Sequence, residues 1–286
     1  MRQTIQHWLL LLLSVLVLGP AAWMMTASLT ASDGGPQTSL LVNASVGMGV
    51  LVTAGVFLLA ALVGLGAARL AGLRHGLLCV GLVLAWAAFG TGQIDRILHR
   101  TLSASTMYAL TGEAILVGAL GVGLAAAMIL IARREPHADP APSGTAHHPP
   151  EPRVLWDKAT PAALAAALVV AALIGWLVAQ DTLKGQTFAA AAFAGMFGAT
   201  AGRMAAPTAS ALTFVAALAL LAIAAPAVAT FMHGSTLGPT RAALGQTLFP
   251  LARPLPLDWI AGAFVGIPLG LSWAASLTDR QSSAPV

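Results

Sequence analysis

Residues 107–131 read MYALTGEAILVGALGVGLAAAMILI, an apolar run interrupted by a single charge, Glu113. A helix needs about 20 mostly apolar residues to cross the hydrocarbon of a bilayer. This run has that length, and it decides how the rest of the chain is read. The same ruler picks out seven further segments: Trp8–Met25, Val46–Ala68, Gly76–Gly92, Ala162–Ala179, Phe188–Met204, Thr208–Met232 and Leu257–Leu277. The third and sixth of the eight are short and would draw on their polar flanks. The expected architecture is an all-α polytopic transmembrane bundle of about eight spans.

Composition supports that frame. Of 286 residues, 58% are hydrophobic and only 8% charged, and the mean hydropathy is +0.84. Soluble domains carry about 25% charged residues. A chain this poor in charge cannot cover its surface in water, which excludes soluble enzymes, coiled coils and disordered tails. The lone cysteine, Cys79, excludes an intramolecular disulfide and multi-cysteine metal sites. Arg outnumbers Lys heavily and Ala and Gly abound, a coding bias of GC-rich bacterial genomes.

Orientation follows from the basic residues. With the N-terminus inside, the cytoplasmic side holds Arg2, Arg69, Arg74, Arg133, Arg134, Arg153, Lys158, Arg203 and Arg280. The outer side then holds Arg96, Arg100, Lys184, Arg241 and Arg253. This bias places both termini in the cytoplasm of an inner-membrane protein. It also explains the basic balance without a nucleic-acid partner. Arg2 followed by Leu9–Leu18 also resembles a signal peptide. Pro20 at the −3 position speaks against cleavage, and removal would leave seven spans in the same orientation.

Residues 133–160 are rich in proline and form the one clear linker. They divide the chain into membrane halves at 1–132 and 161–286, four helices each. Four being even, both halves would enter the bilayer in the same sense. Sequence self-similarity between them is slight: Trp86 precedes Asp95 by nine residues, while Trp176 precedes Asp181 by five.

Small residues are the packing signal inside lipid. Gly262, Gly266 and Gly270 share a face of the last span. Gly195 and Gly198 belong to two adjacent small-residue stripes of the sixth, and Ala119, Gly123 and Ala127 line the fourth. These faces suit close crossings within the bundle or contacts with other subunits or a second copy. Pro226 and Pro268 should bend the last two spans or free the carbonyls of residues 222 and 264.

Glu113 is the most informative candidate, because an acid inside a span marks function by default. It could face the interior as a protonatable or cation-binding group. The cheaper placement is near the outer interface, paired with Arg96 or Arg100. If the third helix continues outward, Asp95 and His99 lie one turn apart and form a candidate carboxylate–imidazole pair, as Arg96 and Arg100 also align. An ordinary solvated helix end is the simpler account. Asp181 and Lys184 read as a local ion pair in a short outer turn bent at Gly185. Asp258 joins them on the polar rim. Pro239 and Thr240 could open a short interfacial helix with Leu244 and Leu248 on one face. His137, His147 and His148 in the linker lack a fourth ligand, so no metal is expected.

No phosphate-binding loop, G-x-S-x-G, H-E-x-x-H or dinucleotide glycine pattern is present. No cofactor and no conventional enzyme chemistry are therefore expected. The leading expectation is an accessory or structural membrane subunit held by small-residue packing. The alternative is a small-solute or ion transporter with Glu113 as its coupling carboxylate.

Overall fold

The computed structural model describes residues 2–101, 105–133, 158–234 and 237–282. Most of the proline-rich linker, with His137, His147 and His148, lies outside them. The described residues are all-α, with one isolated bridge between Thr30 and Pro36.

The chain begins with α1 (Arg2–Leu13), a π-helical turn (Ser14–Leu18) and α2 (Gly19–Ala27), which together form the first span. Then follow α3 (Val46–Ala71), α4 (Leu73–Gly90), the short α5 (Ile94–Thr101) and α6 (Ser105–Ala132). After the linker come α7 (Thr160–Val178), α8 (Lys184–Ala205), α9 (Ala211–His233), the short α10 (Gly238–Leu244) and α11 (Pro256–Ser282). Seven of these stretches are long and apolar enough to cross a membrane; α8 is the long helix that is not. At 22 residues it has the length, about 33 Å. Its composition, rich in Ala and Gly, lowers its hydropathy. Short connections tie it to α7 and α9, so it must run the depth of the bundle between them.

Gly72 alone joins α3 to α4, and its φ of +87° lies where a side chain would be strained. The opposite end of the bundle carries the connections that follow α2, α4, α7 and α9. We call it the capped end, because those connections fold over the helices and bond to one another. The Gly92 N–H donates to Thr38 O (3.0 Å), Thr240 Oγ1 to Leu98 O (3.3 Å) and Arg253 Nη1 to Ala179 O (3.2 Å).

The glycines of the last span meet α8. A Cβ at Gly262, Gly266 or Gly270 would strike the backbone of Ala191, Ala192 or Met196. Gly198 faces α7 in the same way, and Gly195 faces α11. These stripes are thus occupied within the chain. The stripe on α6 is different: Ala119 and Gly123 are exposed, and a Cβ at Gly123 would touch nothing. Helices α9 and α11 run continuously through Pro226 and Pro268.

Aromatic side chains ring both ends. Trp23, Trp86, Tyr108 and Trp176 are exposed towards the capped end, and Trp8 and Trp273 towards the other. Such belts mark the level of lipid headgroups.

Candidate functional site: a buried charge cluster under the cap

Residues 28–45 make a turn, dip into the bundle at residues 38–40 and emerge again at Ala44 and Ser45. Asp33 Oδ1 accepts the Gly35 N–H at 2.9 Å, Gly34 takes φ +80°, and Arg100 reaches Asp33 at 3.8 Å. The chain then re-enters: Thr38, Ser39 and Leu40 are buried. An irregular segment at that depth has few backbone partners, and each orphaned group would be costly. Glu113 supplies one. Its Oε2 accepts the Ser39 hydroxyl and the Leu41 N–H, the latter at 2.9 Å.

Glu113 is 0% exposed. It lies five residues beyond Tyr108 along α6, about 7.5 Å deeper than that aromatic ring. Its other oxygen, Oε1, is buried without a hydrogen-bond partner among the described residues. The expected pairing with Arg96 or Arg100 does not form. Both arginines are drawn to the loop instead, Arg96 to Gln37 Oε1 (3.4 Å) and Arg100 to Asp33 and Pro36 O. The reason is that α4 stops at Gly90 and does not continue outward; α5 is a separate helix lying on the cap. Ile94, Ile97 and Leu98 form its buried face. On this helix His99 is exposed and Asp95 Oδ1 has no hydrogen-bond partner among the described residues, so the carboxylate–imidazole pair is not made.

Beside Glu113 lies an ion pair that crosses the bundle. Lys184, the first residue of α8, places Nζ 2.8 Å from Asp258 Oδ1 on α11. The same ammonium donates to Thr91 Oγ1 (2.8 Å) and Gly92 O (3.3 Å). Asp258 Oδ2 accepts the Leu255 N–H at 2.9 Å and the Thr187 hydroxyl at 3.3 Å. The side chains are 12% and 1% exposed. The expected local pair between Asp181 and Lys184 is therefore replaced. Lys184 turns inward at the helix start, and Asp181 Oδ1 accepts the neighbouring Thr182 N–H at 2.6 Å. Gly185 lies within the first turn of α8 and does not make the bend.

Glu113 is within electrostatic reach of both Lys184 and Asp258. The cluster thus sets two carboxylates against one ammonium, in surroundings where an unbalanced charge is costly. With all three ionised the cluster would carry one net negative charge, which a proton on Glu113 removes.

Arg253 fastens the cap nearby. It is 5% exposed and donates to the carbonyls of Leu248, Ala179, Gln180 and Gln246. Burial pushes its guanidinium below the usual range, and Asp181 opposes that shift. The short helix expected after Pro239 is α10, but it ends at Leu244. Leu244 is exposed and Leu248 buried, because Gln246 breaks the helix with a φ of +58°. They therefore do not share a face.

Ser39, Thr91, Thr187 and Arg253 were not singled out from sequence, and Asp258 entered only as a rim residue. The one local signal was an acid at Asp258, two residues inside the last span and next to Trp259. Among the described residues, no group of three or more potential metal ligands occurs. Comparison with family models, curated proteins and solved structures gives no match.

Proposed function

We propose that the chain is an integral membrane protein that carries a proton or small monovalent cation across the bilayer, with Glu113 as the coupling carboxylate. The observation that carries this reading is Glu113 itself, wholly buried in a span, with one oxygen bonded to the cap and the other unpartnered. An intramembrane acid is expensive and is retained where it handles charge. The unequal count of carboxylates and ammonium supports the same reading, since a single positive cargo balances it. Lys184 and Asp258 then set the field in which Glu113 loads and releases. Both termini face the cytoplasm of an inner membrane on this reading, from the distribution of Arg and Lys.

Reconstituted protein tests it. Glu113→Gln keeps the shape of the side chain and is expected to abolish proton- or cation-driven flux in proteoliposomes while the helical spectrum is kept. Flux equal to the parent protein would remove Glu113 from the role.

The second reading, an accessory or structural subunit, is favoured by one feature. The Ala119 and Gly123 face of α6 is exposed, and small residues there let another helix approach closely. That partner is another membrane subunit or a second copy. On this reading Gly123→Leu dissociates a complex on native gels without lowering monomer stability. A monomer throughout would count against it.

A further inference from the structure

The two halves of the chain share one neighbour pattern. In the first half, the first span packs on α3 and α4, α3 packs on α4 and α6, and α4 packs on α6. In the second, α7 packs on α8 and α9, α8 packs on α9 and α11, and α9 packs on α11. Each half also carries a short helix between its third and fourth long elements: α5 in one, α10 in the other.

The main contacts between halves obey the same correspondence; the slight contact of α4 with α8 has no counterpart of that size between α9 and α3 among the described residues. Exchanging the halves turns α4 against α11 into α9 against α6, and both pairs are present. The two contacts that should map onto themselves, α6 with α11 and α5 with α10, are present as well. This is the arrangement of two parallel repeats about an axis along the bundle. Sequence comparison could not show it, since in lipid many apolar sequences satisfy the same packing.

The charge cluster straddles that seam. Glu113, Ser39, Leu41, Thr91 and Gly92 belong to the first half; Lys184, Thr187 and Asp258 belong to the second. Lys184 pairs with Asp258 inside its own half and reaches across to Thr91 Oγ1 and Gly92 O. Elsewhere small residues line the seam. A Cβ at Gly81 would strike the backbone of Phe264 and Val265, whereas Gly118 meets the Ala219 side chain. Within the second half, α11 interlocks with α8 by backbone contact along three glycines, Gly262, Gly266 and Gly270. The seam therefore holds one such backbone key, at Gly81, against three between α11 and α8.

We infer that the chain is an internal dimer of one four-helix repeat whose halves move as two bodies along the α4–α11 and α6–α9 seam, with Lys184 as the polar latch across it. This deepens the transport reading and rests on it for its purpose: a site shared by two repeats is opened to one side or the other by their relative motion.

The test uses the full chain in lipid nanodiscs with Cys79→Ala and pairs of spin labels. Met24→Cys with Leu177→Cys spans the seam; Leu177→Cys with Phe231→Cys lies within the second half, all at exposed positions. Each pair is measured in the parent protein and in Thr91→Val, which removes one latch bond and leaves the ion pair. Lys184→Met is the second latch variant. The cross-seam distance distribution is expected to shift or broaden by on the order of 2 Å or more, with the within-half distribution unchanged. An unchanged cross-seam distribution in both variants overturns the inference, as does an equal change in both pairs. Neither outcome depends on flux: unchanged flux in Glu113→Gln sinks the transport reading while the label distances still judge the seam.

Discussion

Lys184 and Asp258 show how a single charge pair can cost and stabilise at once. Both are withdrawn from water, and their attraction offsets the desolvation only while both are present. Removing one partner leaves the other buried and uncompensated. Asp258→Asn is expected to destabilise the protein by about 3 kcal/mol or more, read as a lowered midpoint of thermal unfolding in detergent. The double variant Lys184→Met with Asp258→Leu should recover much of that loss. A double variant as unstable as the sum of its singles would show that the two residues act independently. At this scale the sequence was informative about Glu113 and silent about its surroundings. An acid within an apolar run stands out by composition alone. Its partners Ser39 and Leu41 lie more than seventy residues away, in a segment whose polar spelling resembles any surface loop. The Asp258–Lys184 pair joins two spans and leaves no trace in local spacing, which is why the nearer Asp181 was the obvious and incorrect partner.

The helices illustrate a second kind of legibility. Apolar length gives the approximate bounds of seven of them, since hydrocarbon tolerates few alternatives to a helix; α8, expected as an eighth apolar span, falls short of that measure. Which faces meet is harder to read. Four stripes of small residues look alike in sequence, yet Gly266 sits against the Ala192 carbonyl while Gly123 meets open space. The difference is set by the neighbours of each helix and not by the stripe. It makes a direct prediction. Gly266→Leu is expected to cost about 1–3 kcal/mol through overpacking, whereas Gly123→Leu leaves the unfolding midpoint of the isolated monomer within error. Equal effects of the two would contradict the packing of α11 on α8. The stop of α4 at Gly90 has a similar origin. The Gly92 N–H turns aside to Thr38 O, a bond to a distant loop that local propensity cannot anticipate.

For the whole molecule, orientation is the property most open to a direct check. The capped end is the proposed outer face. Leu183 and Leu70 are exposed at opposite ends, and Cys79 is buried. A membrane-impermeant maleimide added to intact cells is expected to label Leu183→Cys, with Leu70→Cys labelled only after permeabilisation. The reverse pattern would invert the topology. The two ends also differ in build: one closes with a loop, two short helices and a four-carbonyl arginine clamp, the other joins α3 to α4 through a single glycine.

Helix α8 carries a consequence for how the protein is made. Among the described long helices it is the one whose composition falls short of a membrane span, and it begins with Lys184. During synthesis it leaves the ribosome well before α11, whose glycines and Asp258 later receive it. Helix α7, made before it, already covers the Gly198 face, so α11 supplies the second of two packing faces. Chains that stop short of α11 would leave α8 held by α7, with the backbone of Ala191, Ala192 and Met196 uncovered and Lys184 without Asp258. Helix α11 thus completes the packing of a helix made well before it.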